Sequence, residues 1–217
     1  MAKNIFLFLF LLSTLVLFGC TQDSTQKEVT NTINQVSNSQ FSPSTAVDNV
    51  PFDYNKINYE NTTADNQTNL TTYATDKFSL TYPDGWQNVK IEKDNIFFIL
   101  AAPFENNTDQ LRESVNLGVD VLHNDETVES FVVRALSKST NGPSLSSMKS
   151  AYVTLGNRTL YRILYPPAKF NDLELTTEQT FVPQGNIIYI FTYTAETKNF
   201  LTYYSATNGI IGSFKTI

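Results

Sequence analysis

The sequence predicts an α+β fold, a largely antiparallel sheet with one internal and one C-terminal helix. Three observations predict it. Short runs in which apolar and polar residues alternate are separated by turns built from Pro, Gly, Asn and Asp. One stretch near the middle changes to a helical period, and the last twenty residues carry aromatic and aliphatic side chains at helical spacing.

Phe78 to Tyr82 alternates as a half-buried strand does, and Pro83-Asp84-Gly85 supplies a turn, since Pro fixes φ and Gly permits positive φ. Trp86 to Ile91 alternates again. Asp94-Asn95 then turns the chain into Ile96 to Ala101, an apolar run typical of a central strand. Asn106 to Arg112 reads as a loop, and Val115, Leu117, Val119 and Val121 line one face of a further strand.

Between Asp125 and Lys138, residues Val128, Phe131, Val132, Ala135 and Leu136 form one stripe of an amphipathic helix. Asp125, Glu126 and Glu129 fall in its first turn, where the helix dipole favours anions, and Asn141-Gly142-Pro143 is expected to end it. Lys149 to Leu155 meets Arg158 to Tyr165 across Gly156-Asn157, a tight hairpin signal. Leu175 to Pro183 meets Ile187 to Thr194 across Gln184-Gly185-Asn186. From about Glu196 a C-terminal helix is expected, with Phe200, Tyr203, Tyr204, Ile211 and Phe214 on one face and a break at Gly209. Packing each one-sided element against another gives one core, spanning residues 76–217.

Residues 1–20 carry a different signal. Lys3 precedes an apolar run from Ile5 to Phe18, which is signal-peptide length and short of the roughly twenty residues a spanning helix needs. Leu17-Phe18-Gly19-Cys20 resembles a lipobox, with an aliphatic residue at −3, a small one at −1 and an invariant Cys; Phe18 departs from the usual residue at −2. The resemblance implies that Cys20, the only cysteine, carries a diacylglyceryl anchor and becomes the first mature residue. Two acyl chains hold a protein firmly where one exchanges. The expected location is therefore the extracytoplasmic side of a cell membrane, lipid-anchored. An uncleaved signal anchor is the plainer alternative.

Residues 21–75 are rich in Thr, Asn, Ser, Gln and Asp and read as a disordered linker, with a coil span of about 40 Å. Weak apolar spots, among them Phe52, Tyr54 and Ile57, offer the alternative of docking on the domain. Asn-x-Thr triplets at Asn61, Asn66, Asn69, Asn106 and Asn157 are candidate N-glycosylation acceptors for a secreted chain.

The order of motifs in the folded part carries a family resemblance. Phe78 to Trp86 resembles the opening of PsbP-like domains, and the match continues through the helix after His123, the Leu155 to Tyr161 hairpin and the Phe191 to Ala195 strand, to the C-terminal helix ending at Ser213-Phe214. It covers Lys77 to Ile217. The resemblance implies an α-β-α sandwich around an antiparallel sheet. The wider superfamily includes photosystem subunits, a nuclear-transport factor and bacterial lipoproteins, mostly non-catalytic binding or assembly factors, so fold alone does not give function.

Several chemistries find no support. The formal net charge of −6, with 15 cations scattered singly, speaks against nucleic acid. His123 is the only histidine, and there is no Gly-x-Ser-x-Gly elbow or phosphate-cradling glycine loop. No catalytic, cofactor or metal residue is therefore assigned. His123, Asn124, Asp125, Glu126 and Glu129 could collect a metal, but a helix cap at Asn124 or Asp125 with dipole-facing acids explains them better. Tyr189, Phe191 and Tyr193 share a strand face, with Tyr203 and Tyr204 on the last helix. They are expected to pack helix on sheet; the alternative is a hollow for an apolar ligand. The expected function is a non-catalytic binding or assembly module partnered by another envelope protein, or else a carrier of a lipid or small apolar ligand.

Overall fold

A computed structural model describes residues 69–89, 96–106, 109, 111–138 and 145–217. The elements are β1 (Leu70–Ala74), β2 (Phe78–Pro83), β3 (Gln87–Val89), β4 (Ile96–Ala101), β5 (Ser114–Val121), α1 (Val128–Ser137), β6 (Lys149–Leu155), β7 (Arg158–Leu164), β8 (Ala168–Phe170), β9 (Leu173–Gln184), β10 (Ile187–Glu196), α2 (Tyr204–Ser213) and β11 (Lys215–Thr216). The fold is α+β, and every strand pairing is antiparallel. The large sheet runs β3-β4-β5-β10-β9-β7-β6, with β8 beside β9; a second sheet runs β1-β2-β11.

Alternation along the strands divides the large sheet between two cores. On one face Ile163, Phe181, Ile188 and Ile190 meet Phe131, Val132, Ala135 and Leu136 of α1. The stripe read from the sequence is the buried one. On the other face, Phe214, just past α2, stacks on Tyr189 at 4.9 Å, Phe191 at 5.2 Å and Phe78 of β2 at 5.6 Å. Aromatic pairs at these separations add to their area burial.

Local chemistry fixes the connections. Thr127 caps α1, its side chain accepting from the Ser130 N–H at 3.2 Å. The cap expected at Asn124 or Asp125 is thus three or two residues early. Asp125 instead takes the left-handed conformation (φ 60°) in the turn before the helix. Gly156 (φ 63°) opens the two-residue turn between β6 and β7, the first central position that a type II′ hairpin gives to Gly.

Three boundaries differ from expectation. Leu70–Ala74 form β1, so the linker expected over 21–75 gives way to the fold at Leu70. The strand is polar because it is an edge with only Tyr73 half-buried, and polarity at an edge reads like polarity in a linker. The C-terminal helix starts at Tyr204, because Glu196 still belongs to β10 and Thr197–Asn199 form a 3₁₀ turn. Gly209 does not break it; the position faces open space. Finally, β5 is buried on both faces over Val115–Gly118, and Val121 is exposed. The turns expected at Asp94-Asn95 and Asn141-Gly142-Pro143 lie outside the described residues.

Candidate functional site: the charged interior and the acidic end of the sheet

Two groups of charged side chains stand out. The first lies between β7, β9 and α2. Arg162 is fully buried and donates to the Tyr204 hydroxyl at 2.7 Å and to Asn208 Oδ1 at 2.7 Å. Tyr204 in turn donates to Glu178 Oε2 at 2.9 Å, and Glu178 Oε1 lies 3.5 Å from the Arg162 guanidinium. Burial pushes the Glu178 carboxyl up, while Arg162 and Tyr204 pull it back. A buried pair of this kind depends on further hydrogen bonds, and Tyr204 and Asn208 of the helix supply them to Arg162, with Tyr204 also bonding Glu178. Arg158, four residues earlier, reaches the other end of α2, donating to the carbonyls of Ile211 (2.9 Å), Gly212 (3.0 Å) and Phe214 (3.0 Å). Its charge sits where a helix C-terminus favours a cation. These arginines fasten α2 to the sheet.

The second group lies where β4 and β5 meet the turn after β10. Glu113 is fully buried, and neither carboxylate oxygen finds a hydrogen-bond partner. Burial pushes its pKa up to about 7; the charges of Glu105 and Asp109 add to the rise, and the Asn199 amide opposes it. That amide is itself bonded to Glu105 Oε2 at 3.0 Å. Desolvation raises a carboxyl in this way because it penalises the charged form.

Exposed apolar side chains flank these carboxylates. Phe104, next to Glu105, is 60% exposed, and Leu201, two residues past Asn199, is 63% exposed. Phe104 is held outward. Arg112 lies over its ring at 5.0 Å, while the same guanidinium donates to Ala102 O (2.5 Å), Ala101 O (3.0 Å) and Gln87 Oε1 (2.8 Å). Trp86 and Tyr203 meet edge to face nearby at 6.0 Å.

The residues singled out from sequence fall elsewhere. Cys20, Asn61 and Asn66 lie outside the described residues. Asn69, Asn106 and Asn157 are exposed, Asn157 on the β6–β7 turn; Asn69 accepts the Asp84 N–H through its carbonyl at 3.0 Å. Around His123 the acids answer protein donors. Glu126 accepts from Arg134 at 2.7 and 2.9 Å and from the His123 N–H at 2.9 Å, and Glu129 accepts from the Tyr152 hydroxyl. Among the described residues no three His, Cys, Asp or Glu side chains converge as metal ligands. The aromatic face is packed: Phe214 covers Tyr189 and Phe191, and Phe200 and Tyr204 lie 4.9 and 6.4 Å from Tyr193.

Against known families, the model of the PsbP-like protein family matches residues 45–216. The chain belongs to the PsbP-like family. Among solved structures it is similar to cyanobacterial PsbP from Synechocystis (14% identity, TM-score 0.48, 71% of this chain and 96% of that one). It is also similar to LpqN of Mycobacterium tuberculosis, a protein involved in cell envelope biogenesis (14%, 0.46, 70% and 87%), and to the Ran-binding protein Mog1p of Saccharomyces cerevisiae (10%, 0.45, 69% and 96%). It covers 48% of the length of a Bacteroides thetaiotaomicron structure at 12% identity, TM-score 0.45, with 67% of this chain aligned. No curated protein sequence matches.

Sequence reasoning missed Arg162, Glu178 and Glu113. The first two carried a faint signal, Arg162 standing between Leu160 and Leu164 on one strand face and Glu178 between Thr176 and Thr180 on another; Glu113, just ahead of a strand, carried none.

Proposed function

We propose that this is a lipoprotein, anchored through Cys20 on the extracytoplasmic side of a membrane, whose PsbP-like domain is a non-catalytic docking module for another envelope protein. The observation that supports docking is Phe104. An exposed phenyl ring held in place by Arg112, with exposed Leu201 near it and carboxylates between, is the aromatic-centred, polar-rimmed pattern of protein interfaces. Arg162 and Glu178, inside the domain, are taken up in fastening α2, which suits a rigid scaffold rather than a reaction centre.

The lipobox supports anchoring. Membrane fractionation with metabolic fatty-acid labelling tests it: the wild-type chain is expected in the membrane and labelled, and Cys20→Ser unlabelled and unprocessed. Equal membrane retention and equal processing of Cys20→Ser would contradict the anchor. A photo-crosslinking residue at Leu201 tests docking in cells; a discrete protein adduct is expected, and an adduct to phospholipid alone would contradict it.

A further inference from the structure

We propose that β6 is a self-pairing edge, through which two copies of this chain join antiparallel into one continuous sheet. This goes beyond docking at Phe104 and does not depend on it, because β6 stands at the far end of the strand order from β3 and β4.

The β6–β7 hairpin fixes which way each backbone group of β6 points. Leu155 and Arg158 flank a two-residue turn, and in such a turn the flanking pair exchanges both backbone hydrogen bonds. Bonded pairs then recur at every second residue, so Leu155, Val153, Ala151 and Lys149 direct their N–H and C=O groups to β7. Ser150, Tyr152 and Thr154 direct theirs away from it. No strand of the described residues lies on that side, and Ser150, Tyr152 and Thr154 are exposed, Tyr152 by 56%.

Native edges are usually blunted by Pro, a bulge or an inward charge. Here all seven register pairs of β6 with β7 are unbroken, and the one charged residue is terminal Lys149. The opposite edge, β3, is only three residues long.

The outward groups also match a second copy. With a two-fold axis through Tyr152, Tyr152 faces its own copy, Ser150 faces Thr154, and Lys149 faces Leu155. Every outward N–H then meets a C=O, about six hydrogen bonds in all, and no like charges oppose each other. The tyrosine at the axis is already ordered, stacked on Tyr161 at 5.0 Å with its hydroxyl bonded to Glu129. Such a symmetric contact closes on itself and does not propagate into a fibre.

Sedimentation equilibrium of the full chain in mild detergent tests the proposal. The wild type is expected at twice the mass of one chain. The S150K/T154K variant, which changes only exposed side chains and sets lysines against each other across the two-fold, is expected at the mass of one. In membranes, Tyr152→Cys is expected to give a disulfide-linked dimer on mild oxidation, several-fold above a Lys169→Cys control, since bonded pairs place their Cα atoms within disulfide reach. A monomeric wild type, a dimer that survives the double lysine change, or crosslinking no stronger than the control would each overturn it. A monomer that copurifies with an extended segment of another protein on β6 would overturn it as well.

Discussion

The Arg162 guanidinium and the Tyr204 hydroxyl meet at 2.7 Å inside the domain, joining the middle of β7 to the first residue of α2. Because Tyr204 also donates to Glu178, one hydroxyl mediates between a buried cation and a buried anion. Removing the cation strands the carboxylate. Arg162→Leu is therefore expected to cost about 3–5 kcal/mol in urea unfolding at neutral pH. Arg162→Leu combined with Glu178→Leu should recover much of that loss, and Tyr204→Phe should cost about 1–3 kcal/mol. A double variant no more stable than the single would contradict this coupling.

Glu113 gives a pH dependence of definite sign. Its folded pKa, about 7, lies above the ordinary 4.5, so the native state holds the proton to higher pH than the unfolded chain. The stability it contributes is complete below about 4.5 and is lost as pH rises to about 7, by at most about 3 kcal/mol. Glu113→Gln should leave stability near pH 4 little changed and raise it at pH 8. Parallel melting curves for the two proteins across this range would refute the assignment.

Arg158 should matter at one end of α2 only. Replacing it with Ala removes the donors to three terminal carbonyls, an expected cost of about 1–2 kcal/mol. Hydrogen exchange should quicken around Ile211–Phe214 more than at Tyr204–Thr207.

Two glycines should respond with opposite signs to the same change. Gly156 has φ 63°, so Gly156→Ala is expected to destabilise by about 1–2 kcal/mol. Gly209 lies in α2 with open space around it, and Gly209→Ala should stabilise by up to about 1 kcal/mol. Chemical denaturation of the two variants reads both.

Much of the fold was legible because period and turn chemistry are local. The Val128-to-Leu136 stripe and the Gly156 and Gly185 turns appear where the sequence puts them. What escaped depends on partners distant in the chain. Leu70–Ala74 becomes a strand only because β2 lies beside it, and β11 is two residues long. Arg162 in a strand looks like an exposed charge until Tyr204 and Asn208, more than forty residues on, are brought over it. Phe104 was passed over for a related reason: nothing in the loop sequence says that Arg112 holds its ring outward.

Native mass spectrometry of the chain released from its own membranes tests the docking account most directly. The wild type should carry one protein partner in fixed ratio, and Phe104→Ser with Leu201→Ser should lose it while keeping the wild-type melting temperature. Retention of the partner by that double variant, or a wild type that carries only phospholipid, would contradict it.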